Sequence, residues 1–251
     1  MSRTPVSAPG EPEPGDAFGA ALLDQLAGIA DPIVIERDDG LVTTDTTDYL
    51  TGLDERDLWS LDRAGGRVLD VGAGAGRASL VLQERGHEVV ALDVSPGAVR
   101  ACRDRGVREI FAGSVAEAAA GPLAGSFDSV LLLGNNLGLL GSAETAGPYL
   151  DYLGALLKPD GVIVGTGLDA YQTDRQVHLD YHDRSRRLGR MGSQLTFRVR
   201  YQRLATCWLD WLAMSPDELA ALAGAAGWEV ADLLPGGTYA AVLRRATQIR
   251  Q

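Results

Sequence analysis

Asp70, Gly72, Gly74 and Gly76 stand in one decapeptide, Val68-Leu69-Asp70-Val71-Gly72-Ala73-Gly74-Ala75-Gly76-Arg77, and together they describe a nucleotide-type pocket. Alternating glycines let the backbone approach a ligand closely and take dihedrals that a Cβ forbids. The helix that follows presents unpaired N–H groups at its start. The Asp70 carboxylate lies just ahead of the turn, where it repels a pyrophosphate and attracts a ligand carrying an ammonium and a sulfonium.

The spacing separates two cofactors. The dinucleotide fingerprint G-x-G-x-x-G needs its third glycine at position 77, where this chain has Arg77. Downstream, His87-Glu88-Val89-Val90-Ala91-Leu92-Asp93 reads as an apolar strand ending in an acid 17 residues after Gly76. A carboxylate there can bind both hydroxyls of a ribose. Strand, glycine turn, helix, strand and terminal acid follow in the required order. The residues therefore point to S-adenosylmethionine (SAM) ahead of NAD.

A second set of reactive side chains lies far from this turn. Asp174, His178 and His182 are spaced i, i+4, i+8 and share one face if 172–187 is helical. Such a face suits a metal site, a general base with Asp174 or Asp180 orienting an imidazole, or solvated surface. The run His178-Leu179-Asp180-Tyr181-His182 lacks the glutamate of the zinc-protease pattern, and no further ligand cluster is evident, so no metal is expected. His182 and His178 are the preferred base candidates, with Tyr181 next. Arg184, Arg186, Arg187, Arg190, Arg198, Arg200 and Arg203 make this region locally basic, either to hold a substrate anion or as a salt-bridged solvent face. Tyr171, Tyr201 and one of Trp208 and Trp211 can line a pocket or pack in the core.

These residues need a frame to position them. From residue 67 the chain alternates strand and helix, with strands near 67–71, 88–93, 108–112, 127–133 and 161–166. Short runs of Val, Ile and Leu of this kind are typical of parallel strands buried on both faces. Helices fit 77–85, 96–105 and 143–157, the second opened by Ser95-Pro96, and Lys158-Pro159-Asp160-Gly161 reads as a turn. A capping box, Ser215 with Glu218, opens a helix to 226, followed by strands 228–234 and 238–245. Between these, 194–201 and 206–213 read as an antiparallel hairpin. At the front, an apolar stripe of Phe18, Leu22, Leu23, Leu26 and Ile29 gives a helix from Asp16, a second helix covers 54–63, and the proline-rich residues 1–15 are expected to be disordered.

Segment 42–166 resembles the core of the class I SAM-dependent methyltransferases. Val68–Arg77 matches the family's first motif and Ala91-Leu92-Asp93-Val94-Ser95 its second, while Phe127–Asn136 resembles the fourth-strand motif that ends beside the methyl group. The resemblance implies an α/β fold: a Rossmann-like seven-stranded sheet with the last strand antiparallel, helices on both faces and a cap insertion. It implies SAM as cofactor, held by Tyr49 from an N-terminal lid, by Asp70, Gly72, Ala73, Gly74 and Gly76, by Asp93 and Val94, by Ser114 and Val115, and by Gly134 and Asn135. Ser114 stands where many members carry the aspartate that bonds adenine. Asn135 is also a catalytic candidate, offering its amide to cofactor or acceptor, unless it only shapes the turn. The expected layout is a disordered 1–15, a helical lid 16–63, a SAM-binding core 64–167, a substrate cap 168–213 above the ligand crevice, and a C-terminal part of the core sheet, 214–251.

Size and charge narrow the activity. The chain has 251 residues, a formal net charge of −11 and 45% hydrophobic residues, enough for one domain with a lid. An acidic surface repels a polyphosphate, which disfavours nucleic acid. No run of 18 uncharged apolar residues occurs, and two cysteines, Cys102 and Cys207, cannot form a disulfide framework; both facts fit a cytoplasmic protein with no membrane partner. The arginine-rich, lysine-poor composition suggests a bacterial source. The expected activity is in-line transfer of a methyl group to oxygen, nitrogen or carbon of a small-molecule acceptor, with a homodimer left open. Two rivals are a SAM-binding protein that transfers no methyl, as partner subunit or catalyst of another reaction, and an NAD-dependent reductase.

Overall fold

The computed structural model describes residues 12–247. In chain order the strands and helices are β1 (Glu13–Pro14), α1 (Ala17–Leu26), β2 (Ile33–Arg37), β3 (Val42–Asp45), α2 (Glu55–Leu61), β4 (Arg67–Val71), α3 (Arg77–Glu84), β5 (Glu88–Asp93), α4 (Pro96–Asp104), β6 (Glu109–Ala112), α5 (Val115–Ala119) and β7 (Phe127–Leu132). They continue with α6 (Ala143–Leu156), β8 (Leu157–Leu168), α7 (Gln176–Arg187), β9 (Gln194–Tyr201), β10 (Leu204–Ala205), β11 (Leu209–Leu212), α8 (Pro216–Ala225), β12 (Trp228–Leu234) and β13 (Thr238–Arg245).

Seven strands form the main sheet, in the order β12-β13-β8-β7-β4-β5-β6. β4 to β8 run parallel, while β13 is antiparallel to both of its neighbours, β8 and β12. The sheet is buried on both faces. Leu61, Val68, Ala78, Leu82, Val89 and Leu131 pack one face under α2 and α3, and Leu69, Val71, Val130, Leu150, Leu153 and Leu219 pack the other under α6 and α8. Removing one such leucine from water contributes about 1.5–3 kcal/mol. The chain leaves β4 toward β5 on one side, and β7 lies on the other, so the strand order reverses between β4 and β7. A crevice for a ligand opens at the carboxyl ends of strands at such a switch point.

The second sheet was not legible in the sequence as one unit. β2 and β3 form a hairpin, and β2 pairs with β9, which in turn pairs with β10 and β11. The N-terminal lid and the insertion after β8 therefore share one sheet, and the segment 16–63 is a helix, a hairpin and a second helix rather than helices alone. The expectation of disorder over 1–15 is corrected at its end, because Glu13 and Pro14 pair in parallel with Leu204 and Ala205; residues 1–11 lie outside the described residues. Lys158–Gly161 is extended as the start of β8 instead of forming a turn, with Leu157 already paired to Phe127. The strand expected over 206–213 is shortened to β11, which pairs antiparallel with β9, and α7 starts at Gln176, which leaves Asp174 ahead of the helix.

Helix ends are built as their sequences dictate. Ser95 accepts a bond from Ala98 N, and its Oγ–H donates to Asp16, whose carboxylate also accepts from Gly19 N and Gly97 N. One aspartate thus caps α1 and fixes it to the start of α4. This contact seats Phe18 beside Gly74 and stacks Tyr49 edge-on against Phe18 at 5.0 Å.

Candidate functional site

Gly72, Gly74 and Gly76 have φ of 67°, 56° and 73°, the left-handed region where a Cβ is strained. Gly76 is also the N-cap of α3, so the turn delivers the helix start to the crevice. A Cβ at Gly74 would meet only the Leu22 and Phe18 side chains, both at 4.0 Å, so the turn is lightly covered there. Asn136 Nδ2 donates to the carbonyls of Val71 and Gly72, at 3.0 and 3.2 Å, and braces the turn from the β7 side. Sequence reasoning missed this residue, although the Asn135-Asn136 pair after β7 marks the place.

The two acids take different positions. Asp70 is buried beneath the turn, where Ser79 Oγ donates to it at 2.6 Å. Burial raises its carboxyl to about 6; the bonds from Ser79 and the charge of Arg77 act against that rise, and Asp93 adds to it. Asp93 accepts from Gly74 N and Ser95 N, both at 2.9 Å, and so ties the turn to the end of β5. Burial raises its carboxyl as well, against those backbone bonds. Each carboxylate oxygen has a second lone pair, so Asp93 keeps capacity for a ribose.

Other expected contacts are committed elsewhere. Ser114 caps α5, its Oγ donating to Glu117 at 2.7 Å and accepting from Glu117 N at 3.2 Å, so its hydroxyl is already engaged. Val115 packs in the core, while Val94 is 71% exposed. Tyr49 packs against Phe18 and the cluster that holds Ala75, its hydroxyl donates to Asp45, and its phenol is pushed far upward, by burial first and then by Asp45. Ala73 follows Gly72 into the turn, and its N–H bonds Leu92 O. The N-terminal segment is tied to the turn by arginines: Arg77 donates to Gly52 O at 2.6 Å and pairs with the buried Asp57 at 3.1 Å, and Arg105 donates to Leu50 O and Ala75 O.

Beyond the turn lies a polar cavity of about 400 Å³ lined by Arg77, Asp57, Gly134, Asn135, Thr166 and Thr238, among others. Asn135 sits in the left-handed region at φ 66°, and its N–H donates to Thr166 Oγ1 at 2.9 Å. Its Oδ1 is buried with no hydrogen-bond partner. A strained backbone with an unsatisfied side-chain acceptor is an arrangement that a ligand donor relieves.

A second cavity, of about 270 Å³, lies between the second sheet, α7 and the end of β8, bordered by Ile35, Leu41, Leu168, Leu195 and Phe197 together with Arg37, Asp169, His178 and His182, among others. Thr238, from the first cavity, pairs in register with Leu168, from the second, so the two adjoin across β8 and β13. His178 and His182 thus face a common space, whereas neither Asp174 nor Asp180 orients them; Asp180 accepts from Gln176 at 2.7 Å. Burial holds the His182 imidazole below the ordinary histidine value, with Arg186, His178 and Arg37 acting the same way. His178 is lowered by burial, then by Arg175 and Arg37. Tyr181 does not join them: it is fully buried, donates to Asp38 at 2.7 Å, accepts from Thr196 N and carries Arg37 over its ring.

Arg37, which sequence reasoning passed over, is the buried cation of this cavity, paired with Asp39 at 2.6 Å. The arginines of the insertion after β8 are mostly paired too: Arg184 with Asp38, Arg186 with Asp183, and the half-buried Arg198 and Arg200 with Glu36. They form a salt-bridged face. Among the described residues no three His, Cys, Asp or Glu side chains are grouped to hold a metal ion.

Residues 68–161 match the model of a methyltransferase domain family. The fold is similar to that of a SAM-dependent methyltransferase from Bacteroides fragilis solved with S-adenosyl-L-homocysteine, at 26% identity over 94% of this chain and 98% of that one, with a TM-score of 0.78. It is also similar in fold to the CcbJ methyltransferase from Streptomyces caelestis, at 18% identity over 76% and 88% of the two chains, TM-score 0.56. DesVI from Streptomyces venezuelae shares 18% identity over 76% and 91%, TM-score 0.54. The reversal of strand order at β4 and β7, the left-handed glycine turn, the acid that ends β5 and the matched domain agree: residues 68–161 form a methyltransferase domain, and the chain has the fold of SAM-dependent methyltransferases, enzymes whose cofactor is S-adenosylmethionine.

Proposed function

We propose that this enzyme methylates a small molecule seated in the cap cavity, on an atom presented toward Asn135. The observation that carries the reading is the adjoining of two unlike spaces: a polar one reaching from Arg77, at the start of α3, to Asn135, and a largely apolar one bordered by two imidazoles. When bound, the cofactor supplies a methyl group already activated on a sulfonium. The chain's own work is therefore alignment, exclusion of water and disposal of a proton.

The glycine turn and the start of α3 cradle the cofactor, and Asp93 accepts from its ribose. Asp70 acts from beneath as a buried negative charge, positioning the turn through Ser79. Asn135 offers Oδ1 to a ligand donor. Tyr49 and Phe18 cover the turn with apolar surface, and Ser114, Val94 and Val115 border the adenine end, where backbone groups replace the engaged Ser114 hydroxyl. The match to a methyltransferase domain supports transfer over mere SAM binding, and Arg77 in place of the third glycine argues against a nicotinamide reductase. The acidic net charge of −11 supports a small acceptor in place of nucleic acid, and no described helix is long and apolar enough to cross a membrane.

His182 serves as general base, kept neutral by burial and free of any protein hydrogen bond among the described residues. The test is transfer of labelled methyl from SAM to a panel of small acceptors, followed by His182→Ala. The variant is expected to lose roughly 100-fold or more in kcat at saturating cofactor, and the acid limb of the wild-type profile lies below pH 6.5, because the neutral form is the active one. Unaltered turnover in a folded variant eliminates this base.

A further inference from the structure

The donor pattern around His178 restricts which acceptor the cap cavity takes. Arg37 donates through Nε and Nη2 to both oxygens of Asp39, at 2.8 and 2.6 Å, and through Nη2 to Val177 O at 3.1 Å. Its Nη1 lies 3.3 Å from His178 Nδ1. A guanidinium can only donate, so His178 Nδ1 must accept, and the single proton of the neutral ring resides on Nε2. That nitrogen has no partner among the described residues, and the ring borders the cavity. One turn along α7, His182 also borders the cavity and has no hydrogen bond to either ring nitrogen among the described residues; its ring rests edge-on against Tyr171 at 5.1 Å. Residues four apart on a helix have Cβ atoms about 5–6 Å apart, which lets two rings engage neighbouring atoms of one ligand.

The apolar part of the wall is Ile35, Leu41, Leu168, Ala170, Leu195 and Phe197, its other polar members are Thr43, Asp169, Gln172 and Thr173, and the charge of Arg37 is already matched by Asp39. The cavity therefore has no free cation for a carboxylate or phosphate. At about 270 Å³ it falls just below the usual range of about 300–1,000 Å³ for drug-sized ligands, which confines it to a ligand of one or two rings. We propose that Arg37 fixes His178 as an Nε2–H donor beside the lone pair of His182, so that the cavity selects a small, mainly apolar acceptor with a hydroxyl adjacent to a carbonyl. The carbonyl oxygen accepts from His178, and the hydroxyl donates to His182. This rests on the reading that the cap cavity holds the acceptor. On transfer, the hydroxyl oxygen forms the new C–O bond, the methyl–sulfur bond breaks with its electron pair going to sulfur, and the hydroxyl proton passes to His182.

The test is titration of the protein, first saturated with S-adenosylhomocysteine, with three probes: 2-hydroxyacetophenone, phenol and acetophenone. The first is expected to bind about tenfold more tightly than either single-group probe, the worth of one added hydrogen bond. His178→Leu should erase that preference and His178→Gln, which keeps an N–H donor, should restore it. Nitrogen-15 spectra of the histidines should show His178 with Nδ1 bare and Nε2 protonated. Equal affinities, a preference that survives in His178→Leu, or a proton on His178 Nδ1 overturns the proposal. Absence of all probe binding to a protein that holds S-adenosylhomocysteine overturns it too, while leaving the methyltransferase reading intact. Failure at the saturation step strikes that reading instead, and the nitrogen spectra still decide the assignment of His178.

Discussion

At the residue scale, the acid ahead of the glycine turn is a stored liability. Asp70 has its carboxyl raised to about 6 by burial, so its charged form is disfavoured in the folded protein. The sign follows from linkage: between the ordinary carboxylate value and about 6 the folded state binds more protons than the unfolded one, so this group's contribution to stability falls as pH rises through that window. Asp70→Asn keeps an acceptor for Ser79 and removes the charge. It is expected to raise stability by about 1 kcal/mol at pH 8, with the gain gone near pH 4, while weakening SAM binding. Thermal denaturation at the two pH values checks this; a variant less stable at pH 8 than the parent would contradict it. The sequence made Asp70 and Asp93 visible because the turn they serve is local, spanning residues 70 to 93. Arg37 was invisible because its contact with His178 crosses 141 positions.

At the scale of elements, the buried strands and the C-terminal hairpin were legible, since strands covered on both faces read as apolar runs. The hairpin of β2 and β3 was not. Val42–Asp45 is largely exposed and threonine-rich, and Ile33–Arg37 owes its strand to pairing with β9, a tertiary partner that overrides local preference. Helix α5, five residues long, is too short to show a period. One junction between cap and core invites a test. Trp211 of β11 rests against Gly138, in the short helical turn after Asn135, so closely that a Cβ there would overlap the indole. Gly138→Ala should destabilise the protein by about 1–3 kcal/mol through overpacking, and Trp211→Leu in the same chain should recover part of it. Equal stability of Gly138→Ala and the parent in a denaturant titration would refute this contact.

For the whole molecule, the proposed function has the N-terminal segment serve both halves of the reaction. Its α1 and Tyr49 cover the glycine turn, and its β2 supplies Arg37 and Ile35 to the acceptor cavity through the sheet shared with β9. On that proposal, covering the cofactor and shaping the acceptor cavity are joined in one stretch of chain. Arg105 clamps that stretch by donating to Leu50 O and Ala75 O. Arg105→Ala should speed amide hydrogen exchange over 47–52 while leaving α6 protected, and should raise KM for SAM more than it lowers kcat. Unchanged exchange in that loop would show that the clamp is dispensable. The central claim, a sulfonium cofactor held by the glycine turn and Asp93, is tested most directly by calorimetric titration of the protein and of Asp93→Ala with SAM, S-adenosylhomocysteine and NAD. The account predicts that the two adenosyl ligands bind, NAD does not, and Asp93→Ala weakens binding by about 1–3 kcal/mol; micromolar NAD binding with no binding of SAM or S-adenosylhomocysteine would contradict it.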